Sequence, residues 1–106
     1  MVKRGDIWLV NLDPTVGSEI KKSRPCVVVS PPEMHDYLRT VLVAPMTSKG
    51  RAAPYRIALT HGGKKGLILL DQMRAVDKVR LAQKLGVLNA KTLAATLATL
   101  QEVFAP

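Results

Sequence analysis

The chain has a single cysteine, Cys26, which excludes an internal disulfide, cannot anchor a thiolate metal site alone, and fits a reducing compartment. Aromatic residues are only 4% of the composition, so a broad platform of stacked rings is excluded. No run approaches the roughly 18 apolar residues of a membrane span, and the basic start "MVKRGDIWLV" lacks the apolar stretch of a signal peptide. A soluble, cytoplasmic protein without membrane contact is expected. Acidic residues are scarce too: 8 Asp and Glu face 16 Lys and Arg, for a formal net charge of +8. That balance points to an anionic partner, nucleic acid first, with a basic surface that merely aids solubility as the alternative. The two histidines, His35 and His61, fall in loop or turn segments without a second ligand at metal spacing and read as solvated surface side chains. There is no phosphate-binding glycine loop, dinucleotide fingerprint or serine elbow, so no metal or cofactor is expected.

What is present is apolar residue at 47% of 106 positions, enough for one core, and the whole of residues 1–106 reads as one domain. Short apolar runs alternate with Pro, Gly and Lys clusters, the pattern of a small antiparallel barrel or sandwich. "DIWLVNL" from Asp6 is a first strand, and "DPTVGSEIKKSR" a loop. "PCVVVS" follows, apolar at successive positions, as a central strand covered on both faces should be. Ser30, Pro31 and Glu33 have the spacing of a capping box before a short helical turn. "RTVLVAPMTS" predicts a third strand from Thr40 to near Pro45, and "PYRIALT" a fourth. "HGGKKG" reads as a turn, "LILLDQMRAVD" from Leu67 as one long kinked strand, and "KVRLAQKLGVL" as a last short one. From Asn89, an N-cap by type, Leu93, Leu97, Leu100 and Phe104 share one face of a closing helix. The fold class is mainly β with a C-terminal α-helix.

Chemistry-bearing residues cluster where strands meet loops. Glu19 and Arg24 flank the entry to "PCVVV", Thr47 and Ser48 follow "VAPM", and Asp71 with Gln72 interrupts "LILLDQM". Each also has a purely structural reading: Glu19 as a loop charge, Thr47 as a turn former, Asp71 as a side chain bonded to loop amides. Trp8 and Cys26 belong to packing.

"GDIWLVNLDPTVGSE", "RPCVVVSP", "VAPMTS" and "LLDQMRAVD", in that order across nearly the whole chain, resemble the MazF/PemK family of bacterial toxins. The resemblance implies an SH3-like antiparallel barrel with a C-terminal helix, assembled as a homodimer. It also implies a ribosome-independent endoribonuclease that cuts single-stranded mRNA at short sequences without metal and is blocked by a cognate acidic antitoxin. Products would be a 2′,3′-cyclic phosphate or 3′-phosphate and a 5′-hydroxyl. By the same resemblance Arg24, Thr47 and Glu19 are the catalytic candidates. PemK-like members carry a histidine and an arginine where this chain has Ser18 and Leu69, which places it nearer the MazF branch.

Such cleavage uses the RNA's own 2′-hydroxyl, so the enzyme must hold the in-line geometry and stabilise charge on the phosphate oxygens. A guanidinium grips two such oxygens at once, which suits Arg24; Thr47 adds a hydroxyl donor, and Glu19 is a candidate base. Lys21, Lys22, Lys49, Arg51 and Arg56 are candidate backbone contacts, with Ser18, Ser48, Asp71 and Gln72 as further RNA-binding candidates. Two other readings remain at this stage. One is a noncatalytic nucleic-acid-binding barrel; the other is a gyrase poison like the CcdB toxins, which share this barrel but end in Trp-Gly-Ile where this chain ends "EVFAP".

Overall fold

The computed structural model describes every residue from Met1 to Pro106. Seven strands and two helices follow in order: β1 (Asp6–Asn11), β2 (Ser23–Val28), α1 (Pro32–Tyr37), β3 (Thr40–Thr47), β4 (Arg56–His61), β5 (Lys64–Leu69), β6 (Arg74–Asp77), β7 (Leu81–Val87) and α2 (Ala90–Phe104). All pairings are antiparallel. The strands run β4-β5-β3-β2-β1-β7, with β6 beside the first half of β3. This is the expected mainly β, SH3-like half-barrel with a closing helix.

β2 shows why the valine run was informative. Val27 packs in a cluster with Ile7, Ala44, Met46 and Ile68, whereas Cys26 and Val28 pack in a second cluster with Val10, Val41, Val43 and Val76. Successive side chains of a strand point to opposite faces, so apolar residues at consecutive positions are explained only by cover on both sides. β3 does the same and changes partner along its length. Val41 and Val43 pair with β6, while Met46 and Thr47 pair with β5. The strand therefore runs two residues past its expected end near Pro45.

Three other local expectations change. "LILLDQMRAVD" is not one kinked strand: β5 begins earlier, at Lys64, and a single 3-10 turn, Leu70–Gln72, separates it from β6. The turn in "HGGKKG" is thereby confined to Gly62 and Gly63, whose positive φ of 58° and 78° suit a tight hairpin. The capping box at Ser30 does not form, since α1 begins at Pro32 with Pro31 as its N-cap and no side-chain cap. The Ser30 hydroxyl is committed elsewhere: it accepts from Leu42 N at 3.0 Å and lies 2.6 Å from His35 Nε2. His35 is correspondingly not a surface histidine. It is buried, and its other ring nitrogen meets the Val2 carbonyl at 3.2 Å, so both nitrogens are satisfied inside.

The Asn89 side chain caps α2, accepting from Thr92 N at 2.8 Å. Leu93 and Leu100 pack on the cluster around Ile7 and Val27. Leu93 lies tight against Gly5, where φ is +91° and a Cβ would sit 3.0 Å from a leucine methyl. Phe104, expected on the same face, is 70% exposed because the helix outruns the barrel, and the fully buried position of α2 is instead Thr96. Its hydroxyl is satisfied by Thr92 O at 2.8 Å, which leaves its methyl free to pack.

Burial pushes the Cys26 thiol up to about 12, with Arg74 pulling weakly the other way. A thiol so raised is present as thiolate to a negligible extent at neutral pH. In the folded protein a thiol reagent at pH 8 should therefore leave Cys26 unmodified, and denaturant should make it react at once. Rapid labelling of the native chain would contradict this packing.

Candidate active site

The register between β2 and β3 decides where the chemistry lies. Its pairs are Cys26↔Pro45, Val27↔Ala44 and Val28↔Val43. Continued two residues outward, the same register brings Arg24 opposite Thr47, at the frayed end where the ladder opens. Both line one cavity of about 230 Å³, together with Ser48, His61, Lys64 and Lys65. Pro25, next to Arg24, removes helical geometry from the arginine and forces an extended approach.

Arg24 is exposed, and the one hydrogen bond of its side chain is from Nε to the Lys21 carbonyl at 3.2 Å. That bond orients the guanidinium and leaves its two terminal nitrogens for a ligand, the face that grips an oxyanion bidentately. Thr47 Oγ1 closes a tight turn, donating to Lys49 O at 2.7 Å and accepting from Lys49 N at 3.1 Å. An incoming phosphate oxygen would have to compete with Lys49 O for the hydroxyl proton. Across β5, a Cβ on Gly66 would lie 2.8 Å from the Thr47 carbonyl oxygen, so glycine is what allows β5 to approach here.

Glu19 is not in this cavity. It lines a second one of about 360 Å³, with Ile20, Pro45, Asp71, Gln72 and Arg74. There its carboxylate accepts from Val16 N at 2.6 Å, folding the first loop back on itself. Gln72 ties the same loop down, accepting from Ile20 N at 2.8 Å and reaching Ser18 O at 3.5 Å. Asp71 and Arg56 bind each other in a two-bonded pair at 3.1 and 3.0 Å, and Arg56 also donates to Arg51 O at 3.3 Å. The hydrogen bonds from Arg56 hold the Asp71 carboxyl below its ordinary range, and the same bonds push the guanidinium further up. Lys21, Lys22, Lys49 and Arg51 are exposed and line neither cavity, though Lys21 and Lys22 precede Arg24 and Lys49 and Arg51 follow Thr47 in the chain. No three His, Cys, Asp or Glu side chains gather where they could hold a metal ion.

Sequence reasoning missed three cavity residues: Lys64, Lys65 and His61. The lysines belong to β5 rather than to a turn, and His61 ends β4 half-buried instead of standing in solvent. The basic "GGKKG" run was visible, but only the hairpin carries it to Arg24.

The match to a family model spans residues 3–104, and that model describes PemK-like, MazF-like toxins of type II toxin–antitoxin systems. The chain belongs to this family. It is similar to the endoribonuclease PemK of Escherichia coli, 38% identical over 81 residues that cover 72% of this chain and 61% of that protein. It is also 36% identical over 97 residues to the endoribonuclease MazF of Staphylococcus saprophyticus, covering 86% of this chain and 81% of the relative. The crystal structure of MazF from Deinococcus radiodurans superposes with a TM-score of 0.83 at 27% identity, covering 96% and 94% of the two chains. A toxin of this family is one half of a pair, and its partner is an antitoxin.

Two outcomes test the toxin's site geometry. Gly66→Ala should destabilise the fold by about 1–3 kcal/mol, because the new methyl meets backbone. It should also displace the Thr47 backbone, so RNA cleavage should slow by on the order of tenfold or more if Thr47 meets the phosphate, since small misplacements at a reacting centre are costly. Asp71→Asn should cost a small amount of thermal stability at neutral pH. As the folded carboxyl sits below its ordinary 3.8, the difference from the parent should persist above that value and fade as pH falls through the depressed one.

Proposed function

We propose that residues 1–106 form one endoribonuclease domain that cleaves single-stranded mRNA in the cytoplasm, independently of ribosome and metal, and so halts translation and growth. The observation that carries this reading is the placement of Arg24, with two unengaged terminal nitrogens, opposite Thr47 in a cavity walled by Lys64 and Lys65. The RNA's 2′-hydroxyl attacks the adjacent phosphorus, the bond to the 5′-oxygen breaks, and a 2′,3′-cyclic phosphate and a 5′-hydroxyl result. Arg24 binds the phosphate oxygens as their charge grows, and Thr47 supplies a further donor. Lys21, Lys22, Lys49 and Arg51 with the two cavity lysines hold the flanking backbone, so affinity falls with salt.

Within this reading the remaining candidates divide by what already engages them. Arg56 is held by Asp71 and steadies the loop at Arg51 rather than offering a free charge. Glu19 and Gln72 shape the loop that carries Ser18, whose exposed groups meet base edges beside Ser48. The active species is a homodimer, and an acidic antitoxin segment competes with RNA for the basic rim. No helix is long and apolar enough to cross a membrane.

Mixed-sequence RNA incubated with the protein in EDTA should yield discrete fragments with 5′-hydroxyl ends. Arg24→Ala should cleave about a hundredfold or more slowly while keeping the parent's circular dichroism, by analogy with other single-donor deletions. RNA that is retarded on a gel but intact would instead make the protein a noncatalytic binder. A folded Arg24→Ala variant as fast as the parent would remove Arg24 from the mechanism.

A further inference from the structure

We propose that His61 is the general base of this cleavage, taking the 2′-hydroxyl proton. The assignment rests on the Arg24 cavity being the site of RNA cleavage. His61 is the last residue of β4, facing Lys64 across the Gly62–Gly63 turn. Its ring lies over Gly86 of β7, where an added Cβ would stand 3.4 Å from the ring carbon Cε1. β4 and β7 are the two outer strands of the sheet order, so the imidazole spans the seam between them. It lines the same cavity as Arg24 and Thr47. All hydrogen bonds made by histidine rings within the molecule belong to His35, which leaves both ring nitrogens of His61 free for a substrate.

The chemistry of the cavity narrows the choice. Arginine and lysine side chains ordinarily stay protonated at neutral pH, and Thr47 and Ser48 carry only hydroxyls. No carboxylate lines this cavity, and Glu19 faces the other one. Imidazole is the one side chain here of a type that accepts a proton near neutrality. The charged groups lining the cavity with it are Arg24 from β2 and Lys64 and Lys65 from β5; the end of β3 and the turn after it present the neutral Thr47 and Ser48, and β7 presents Gly86. In the step itself, Nδ1 or Nε2 takes the 2′-oxygen's proton as the bond from that oxygen to phosphorus forms. The bond from phosphorus to the 5′-oxygen breaks, and the departing oxygen is protonated by Arg24 or water.

The test uses the full-length protein and an oligoribonucleotide with one site that the parent cuts. His61→Ala and His61→Asn should each lower kcat by about a hundredfold or more with KM within a few-fold, as loss of a positioned base does. Both should lose the acid limb of the pH–rate profile, and added imidazole should restore part of the His61→Ala rate. A substrate with sulfur in place of the bridging 5′-oxygen, whose leaving group needs no proton, should remain slow with both variants. Folded variants within about threefold of the parent kcat, or with the acid limb intact, would overturn the assignment. So would a bridging-sulfur substrate that restores the parent rate, because His61 would then be serving the leaving group. If the parent cuts RNA and Arg24→Ala does not while the His61 variants do, the base alone is misassigned; if the parent leaves RNA intact, the cleavage site itself is.

Discussion

The antiparallel register of β2 on β3 is the constraint from which the site follows. A strand has a side-chain period of two, so a one-residue slip would exchange every buried side chain for its neighbour. Here Val27 on one face and Cys26 and Val28 on the other are all fully buried, so neither face has room for the exchange. The pairing that holds Cys26 against Pro45 is thus enforced from both sides of the sheet, and the arginine and threonine just beyond it inherit that precision. Arg24 and Thr47 thus leave the sheet two residues beyond a pair whose register is fixed.

The loops around that fixed end are held largely by polar bonds, with Leu12 and Ile20 of the first loop also packed on the core. The first loop is drawn in at its base, where Leu12 N donates to Lys22 O at 3.0 Å, and Arg80 donates to Asn11 O and Asp13 O at 3.2 and 2.6 Å. Farther out, Gln72 and Glu19 fold it, and Asp71 with Arg56 does the same for the segment after Thr47. Residues that look alike as charges in a linear reading therefore separate into two kinds. Some spend their hydrogen bonds shaping loops, and others, Lys64 and Lys65 among them, line the cavity without a side-chain partner. Of the 16 Lys and Arg residues, only a few converge on one concave end, where their fields add.

Much of the architecture was legible because local physics carried it. The valines of β2 announced a two-sided strand, Asn89 marked the start of α2, and Pro25 fixed the approach of Arg24. The errors came where a tertiary partner outbid a local preference. Ser30 had the spacing of a cap, but a buried histidine and the amide of Leu42 took its hydroxyl. Phe104 had the phase of a core residue, but the barrel ends before it.

The sequence by itself determined the class of the molecule: a small basic β protein, an arginine forced into extended geometry before an apolar strand, and an ordered set of motifs shared with a toxin family. Only the tertiary structure decided which side chains share a cavity. It separated Glu19 from Arg24, paired Arg56 with Asp71, and carried His61 from the end of a hairpin to the seam beside Gly86. The reason is physical: strand periodicity and turn chemistry are written in neighbouring residues, whereas the meeting of a β4 end with a β2 entry depends on how the whole sheet curls, which no local pattern encodes.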